Sequence, residues 1–267
     1  MNNKNSLKPL LDKKEALRYL GYQNQDVDEN TKILLDQSAE EIIQTARPKY
    51  IWQVFKIDRN MNLYPSIYPP HMGGGPSKEE SRTKDYQVAY LKDEDFYQDS
   101  VIHLKGEDIK KNLQTAGYCV LFAASLGIEV DKLLAKAQHI SMARAVILDA
   151  CASSYIESIC DLCSDEIAER FRQEKLIPRP RFSPGYGDLP LDLQGQFCQA
   201  LDTQRKIGLT CSDNNLLLPR KSVTAIVGLV GKKVPKARPH KKDEPCTICS
   251  LKKHCQKRKD GQICGKN

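Results

Sequence analysis

The stretch "PRFSPGYGDLPLDL", Pro180–Leu193, packs one arginine, two glycines, a tyrosine and three prolines between two segments of helical pattern. Pro184 fixes φ, while Gly185 and Gly187 permit conformations and close approaches that a Cβ forbids. Backbone N–H and C=O groups bared in such a turn can grip a polar ligand. Arg181 offers a planar fork suited to a carboxylate, a role that Lys does not fill. Tyr186 supplies a flat face for an aromatic ring, or else a core anchor. A rigid turn carrying a surface arginine accounts for the same residues, so the stretch alone leaves both readings open.

The segment before it predicts a long helix over about 140–173. At about 100° per residue, Ile156, Ile159, Leu162, Cys163 and Ile167 form a core-facing stripe. Beside it runs a stripe of small residues, Ala150, Ser153, Cys160 and Ser164, with Glu157 inside it and Asp161 on its border. Small side chains leave room for something to lie against the helix, and a carboxylate there can accept hydrogen bonds from a cationic amine. Glu157 on the helix and Arg181 on the loop then suit the two ends of an amino-acid zwitterion. A solvated Glu157 is the plain alternative. Cys160-x2-Cys163 reads as helix packing, because no strand precedes it as in thioredoxin-like redox sites.

Further out, helices are expected at Lys13–Leu20 and Asn30–Ala46, and a strand at "KYIWQVFKI", Lys49–Ile57. Residues 58–84 read as a Pro/Gly/Ser loop. Gly106-Glu107-Asp108 opens a short helix, "YCVLFAAS" (Tyr118–Ser125) a buried strand, and Val130–Lys136 a short helix. After the quoted loop come a helix near Asp192–Leu201 and strands at Ile207–Cys211, Asn215–Leu218 and Ser222–Leu229. Strands and helices mix without regular βαβ alternation, which points to an α+β fold and away from a doubly wound sheet.

No run of some 18 apolar residues is present, so no membrane span is expected. The start "MNNKNSLKPLL" has no apolar stretch after its charges, and a cytoplasmic protein is the expectation. The net charge of +7 belongs to the end of the chain. Residues 231–267 hold 12 Lys and Arg against 3 Asp and Glu, whereas the rest holds 29 against 31. The near-neutral body gives no reason to expect a nucleic-acid partner. Four of the ten cysteines, Cys246, Cys249, Cys255 and Cys264, crowd into the last 22 residues. Four thiolates in a short Lys-rich segment suit an iron–sulfur cluster or a structural zinc, whose binding would supply the stability that the segment otherwise lacks.

Arg181-x2-Pro184-Gly185-Tyr186 followed by Pro190 resembles the loop of the reactivation (AdoMet-binding) domain of cobalamin-dependent methionine synthase. "ESICDLCSDEI", Glu157–Ile167, is similar to the family helix that carries an AdoMet-binding glutamate, which falls at Glu157. "IGLTCSDNNLLLPRKSVTAIVGL", Ile207–Leu229, resembles the family strand pair whose backbone lies beside the ligand near Asn215, Leu216 and Leu217. Together these cover roughly 148–229. "VLFAASLGIEVDKLL" and "ALRYLGYQNQDVDE" look like the free-standing version of the domain. The chain departs from the larger members at Gly187-Asp188-Leu189-Pro190, in lacking an Asp before the Trp of "KYIWQVF", and in lacking their later tyrosine-bearing extension.

The resemblance implies an antiparallel-rich mixed sheet with flanking helices over residues 1–230. Within that body lie N-terminal helices over 1–48 and a ligand-binding part over 100–230, and a basic Cys-rich tail follows over 231–267. It implies S-adenosylmethionine as ligand, with Arg181 on its carboxylate, Glu157 on its amine or ribose end, and Pro184, Gly185, Tyr186 and Gly187 around it. It also implies a methyltransferase-type role acting in trans, with cobalamin carried by a partner methionine synthase or other corrinoid protein. A one-electron donor such as flavodoxin or ferredoxin is implied too, and a [4Fe–4S] cluster in the tail would fit that chemistry, with zinc as the alternative. Two other functions stay open at this point: a nucleic-acid-binding protein with a zinc-knuckle tail, and a structural subunit of a corrinoid methyltransferase complex.

Overall fold

In a computed structural model the chain is described over residues 11–22, 25–58, 60–65 and 101–231. Five antiparallel pairings build a six-stranded sheet in the order β3-β2-β1-β4-β8-β5. Its strands are β1 (Lys49–Ile57), β2 (Asn62–Pro65), β3 (Ile102–His103), β4 (Tyr118–Ser125), β5 (Leu176–Pro178) and β8 (Ser222–Gly231). Every pairing among the described residues is antiparallel. A separate two-stranded ribbon joins β6 (Thr210–Cys211) to β7 (Leu217–Leu218).

The central strands are predominantly apolar because both sheet faces are covered, and successive side chains feed opposite faces. Tyr50, Trp52 and Val54 of β1, Val120, Phe122 and Ala124 of β4, and Ala225, Val227 and Leu229 of β8 enter one core. That core is closed by α1 (Lys13–Tyr19), α2 (Glu29–Thr45), α4 (Ile128–Ile140) and α5 (Met142–Arg170). Ile51 and Phe55, Cys119 and Leu121, and Ile226 enter the second core with residues of α3 (Glu107–Asn112), α6 (Leu193–Leu201) and α7 (Thr203–Ile207).

Helix starts follow their caps. Asp12 accepts from the N–H groups of Lys14 and Glu15 at 2.8 and 3.2 Å, Asp28 from Thr31 at 3.0 Å, and Ser141 from Arg144 at 3.4 Å. Helix α5 has 29 residues, about 43 Å at 1.5 Å per residue, and spans the sheet. Glu166 pins its far end to β1, accepting from the Tyr50 hydroxyl at 2.5 Å and from Trp52 Nε1 at 2.9 Å.

Several expectations are corrected. Residues 58–84 are not all loop, since β2 pairs with β1 directly after a turn at Met61 (φ 63°). The strand expected over Ile207–Cys211 begins only at Thr210. Asp202 and Gly208, both left-handed, frame the helical turn α7 and tuck Ile207 into the second core. Asn215 lies in the β6–β7 turn at φ 58°, outside the strand. Strand β5 has no periodicity to announce it, being three residues long at a sheet edge. On α5, Leu162 is half-buried, whereas Cys160 of the small-residue stripe is fully buried. The helix is covered on more of its circumference than one apolar stripe requires, because α1 and α2 pack on it as well as the sheet.

Candidate functional site

Strand β5 runs antiparallel to the end of β8, and the chain continues along that same edge. Arg179 N–H donates to Gly228 O at 2.8 Å, and Phe182 and Ile226 exchange two bonds at 3.0 and 2.8 Å. Alternation then sends neighbours to opposite faces. Phe182 enters the second core, and Arg181 reaches back to α5.

There Arg181 joins two carboxylates one helical turn apart. Its Nη2 donates to Glu157 Oε2 at 3.0 Å, its Nη1 to Asp161 Oδ1 at 2.6 Å, and Nη1 also to Ser164 Oγ at 3.3 Å. The three ionic side chains are part-exposed, at 27% for Arg181, 41% for Glu157 and 42% for Asp161. Burial opposes the charge on Arg181, but Cys160, Asp161 and Glu157 more than offset it, and its pKa is raised. Tyr19, at the end of α1, has its hydroxyl pushed up to about 12 by burial and by the charges of Glu157 and Glu15. The end of α1 therefore lies within electrostatic reach of the site.

Glu157 and Arg181, chosen from sequence for a ligand's two ends, are thus brought together. Their adjacency suits the head of an α-amino acid, whose ammonium and carboxylate share one carbon. Asp161 and Ser164 are the partners that sequence reasoning left in the margin. The Glu157/Asp161 spacing of four was the signal, since such residues share a helix face.

The turn after Arg181 is more self-contained than expected. Gly185 N–H donates to Leu189 O at 2.9 Å and Tyr186 N–H to Ser183 O at 3.0 Å, so these two donors close the turn instead of facing a ligand. Gly185 and Gly187 both have positive φ, 82° and 58°. A Cβ at Gly187 would stand 3.0 Å from Asp108 Oδ2, and one at Gly185 3.0 Å from Leu191 Cδ1. Pro184 is buried, and Tyr186, 36% exposed, meets Phe182 edge-on at 5.4 Å. Asp188 accepts from the N–H groups of Glu107 and Asp108 at 2.5 and 3.1 Å, fastening the turn to the start of α3. That contact gives a structural use to the position where the chain departs from the larger members of the resembled family.

Asn215, Leu216 and Leu217 stand on the β6–β7 ribbon, and among the described residues they make no hydrogen bond to Arg181 or Glu157. Leu217 packs on the second core while Leu216 is 59% exposed. The small-residue stripe does leave space. Ala150 and Ser153 line a cavity of about 360 Å³ together with Tyr19, Met142, Val146 and Arg220. Lys221 closes its flank on α5, with Nζ 2.9 Å from Asp149 Oδ1 and 2.8 Å from Ser153 Oγ. Cys160 and Cys163 are buried thiols whose pKa values burial raises well above the usual range, as packing residues require. Cys246, Cys249, Cys255 and Cys264 lie outside the described residues, and no metal-binding group of three or more His, Cys, Asp or Glu occurs among the described ones. Likewise, no helix among them is long and apolar enough to cross a membrane.

No family model matches the chain, and no curated protein matches it. Solved structures do. The crystal structure of the MetH reactivation domain bound to AdoHcy matches over 82% of this chain and 74% of its own, with a TM-score of 0.55 and 14% identity. The fold is therefore that of the reactivation domain, an α+β antiparallel sheet with flanking helices.

Proposed function

We propose that the chain binds S-adenosylmethionine and serves in trans as the reactivation component of a cobalamin-dependent methionine synthase or related corrinoid protein. The observation that carries this reading is the meeting of Arg181 with Glu157, at 3.0 Å, on a fold shared with a domain that binds AdoHcy. Arg181 takes the ligand's α-carboxylate and Glu157 accepts from its α-ammonium. Pro184, Gly185 and Gly187 hold the turn that carries Arg181, Tyr186 stands at its rim, and the ribbon residues Asn215, Leu216 and Leu217 supply a flanking wall.

In this function a one-electron donor such as flavodoxin or ferredoxin reduces the partner's cob(II)alamin. The reduced cobalt then takes the sulfonium methyl as the C–S bond breaks, leaving S-adenosylhomocysteine. The chain supplies position, not acid–base chemistry. Residues 1–230 form the reactivation-type body, the setting is the cytoplasm, and residues 231–267 are the metal-binding tail. Cys246, Cys249, Cys255 and Cys264 would hold a [4Fe–4S] cluster there, with zinc the alternative, and four thiolates suit either.

Calorimetric titration of the full chain with S-adenosylmethionine tests the reading. Binding is expected in the wild type and its loss in Arg181→Ala, with loss of methionine synthase reactivation alongside. A folded wild-type chain that binds nothing at millimolar ligand overturns it.

A further inference from the structure

The cavity beside α5 is separate from the Arg181 cluster, yet the helix and Tyr19 make the two neighbours. Ala150, Ser153 and Glu157 stand at i, i+3 and i+7, on one face of α5. Seven residues rise about 10 Å at 1.5 Å each. Tyr19 lines the cavity and also feels the charge of Glu157. A molecule whose charged head rests on Glu157 and Arg181 therefore brings its far end to the cavity.

The cavity has the chemistry of a nucleoside site. Its volume of about 360 Å³ falls near the lower end of small-molecule pockets, about 300–1,000 Å³. Leu134 and Ala150 give it a buried apolar floor. The Tyr19 ring is 42% exposed. Arg18, which does not line the cavity, lies over that ring at 4.6 Å, and the rest of the ring surface is left to the cavity. Two polar groups stand unused among the described residues. The Gln138 side-chain amide makes no hydrogen bond, and Asp149 gives one oxygen to Lys221 at 2.9 Å while its second accepts nothing. A free amide offers a donor and an acceptor side by side, which matches the edge of an adenine. A free carboxylate oxygen accepts from ribose hydroxyls.

We infer that the cavity between α1, α4 and α5 is the adenosyl subsite of the ligand whose amino-acid head Arg181 and Glu157 hold. The inference rests on the S-adenosylmethionine reading. The base lies on the Tyr19 ring above the apolar floor, Gln138 reads its edge, and Asp149 takes the ribose hydroxyls. Lys221, 13% exposed and bonded to both Asp149 and Ser153, holds that carboxylate in place. Arg220, two residues past β7, forms the opposite wall, which sets the β6–β7 ribbon beside the ligand.

The test is calorimetry of the full chain with S-adenosylmethionine, with methionine and with methylthioadenosine, which carry both ends, the head alone and the adenosyl end alone. Tyr19→Ala should weaken S-adenosylmethionine and methylthioadenosine about tenfold, the scale of one base stacked on an aromatic ring. It should leave methionine unchanged, and Tyr19→Phe should retain full affinity. Arg181→Ala should do the reverse, abolishing methionine binding and sparing methylthioadenosine. If S-adenosylmethionine binds the wild type and Tyr19→Ala equally, the inference is overturned while the ligand reading stands. If S-adenosylmethionine does not bind the wild type, both fall. Should Tyr19→Ala fail to fold, Val146→Trp decides, since Val146 lines the cavity and is 51% exposed. The added fluorescence should be quenched by methylthioadenosine and not by methionine, and no quenching by methylthioadenosine overturns the inference.

Discussion

Replacing Arg181 by Ala should destabilise the fold measurably even without ligand, since the side chain ties the outer edge of β8 to α5. Its two charged bonds, 2.6 Å to Asp161 and 3.0 Å to Glu157, fall between limiting cases. Exposed pairs contribute about 0–1 kcal/mol, and breaking a fully buried pair costs about 3–5 kcal/mol. With Arg181 27% exposed and its partners near 40%, a loss of about 2 kcal/mol follows after discounting for solvent. Of this, a few tenths arise because Glu157 and Asp161, four residues apart on α5, lose the cation that stands between them. For a domain of about 150–250 residues, each kcal/mol moves Tm by about 2–4 °C, so Arg181→Ala should melt roughly 4–8 °C lower. Urea denaturation of the wild type, Arg181→Ala, Asp161→Ala and the double variant closes a double-mutant cycle. The coupling should be about 1 kcal/mol, because Asp161 makes the shorter bond. Additivity within about 0.3–0.5 kcal/mol would refute the tie and show the pair to be a surface coincidence.

Glu166→Ala removes the acceptor shared by the Tyr50 hydroxyl and Trp52 Nε1, and should cost about 2–4 kcal/mol in urea denaturation; a loss under about 0.5 kcal/mol would discard this clamp between β1 and α5. At the start of α2, the Thr31 hydroxyl and N–H hold the Asp28 carboxyl below its usual 3.8, so its stabilisation is present above that pH and is lost as pH falls through the lowered value. The melting difference between wild type and Asp28→Ala should accordingly shrink on acidification, and a difference that grows would contradict the cap. In the tail, a [4Fe–4S] cluster predicts a brown anaerobic preparation absorbing at roughly 400 nm that bleaches in Cys249→Ser; colourless protein containing zinc would assign the tail to structure.

What was legible from sequence follows the size of the physical signal. Lys49–Ile57 and Tyr118–Ser125 announce themselves because both faces of each strand are largely buried, which makes them rich in apolar, β-branched and aromatic residues. Helix α5 is legible from its length and stripe. Strand β5 was not, because three residues at an edge carry no period, and α7 was not, because the left-handed residues that frame it resemble turn signals between strands. At the candidate site, Arg181 and Glu157 were singled out by chemistry and spacing, and the structure brings them together. Their direct bond was not, since it depends on how far the edge segment runs along β8 before it turns. The wide coverage of α5 depends likewise on the docking of α1 and α2, which no local pattern within α5 encodes.

The Pro184–Gly187 turn then takes a different role from that suggested by its composition. Two of its N–H groups close the turn, its glycines are required where Asp108 and Leu191 approach, and Asp188 holds it to α3. Such a turn is a rigid endpoint. The segment between its two anchors, the Arg179 and Phe182 bonds to β8 on one side and the Asp188 bonds to α3 on the other, cannot slide. With the pleat fixed at Phe182, Arg181 has one direction left, across the sheet edge to α5, and there Asp161 and Glu157 set its rotamer. Most of the entropy of placing the guanidinium is therefore met in folding, not in binding. Under the proposed ligand reading, a carboxylate would meet an arginine already held in position, and the glycines would matter to binding through the arginine they hold in place.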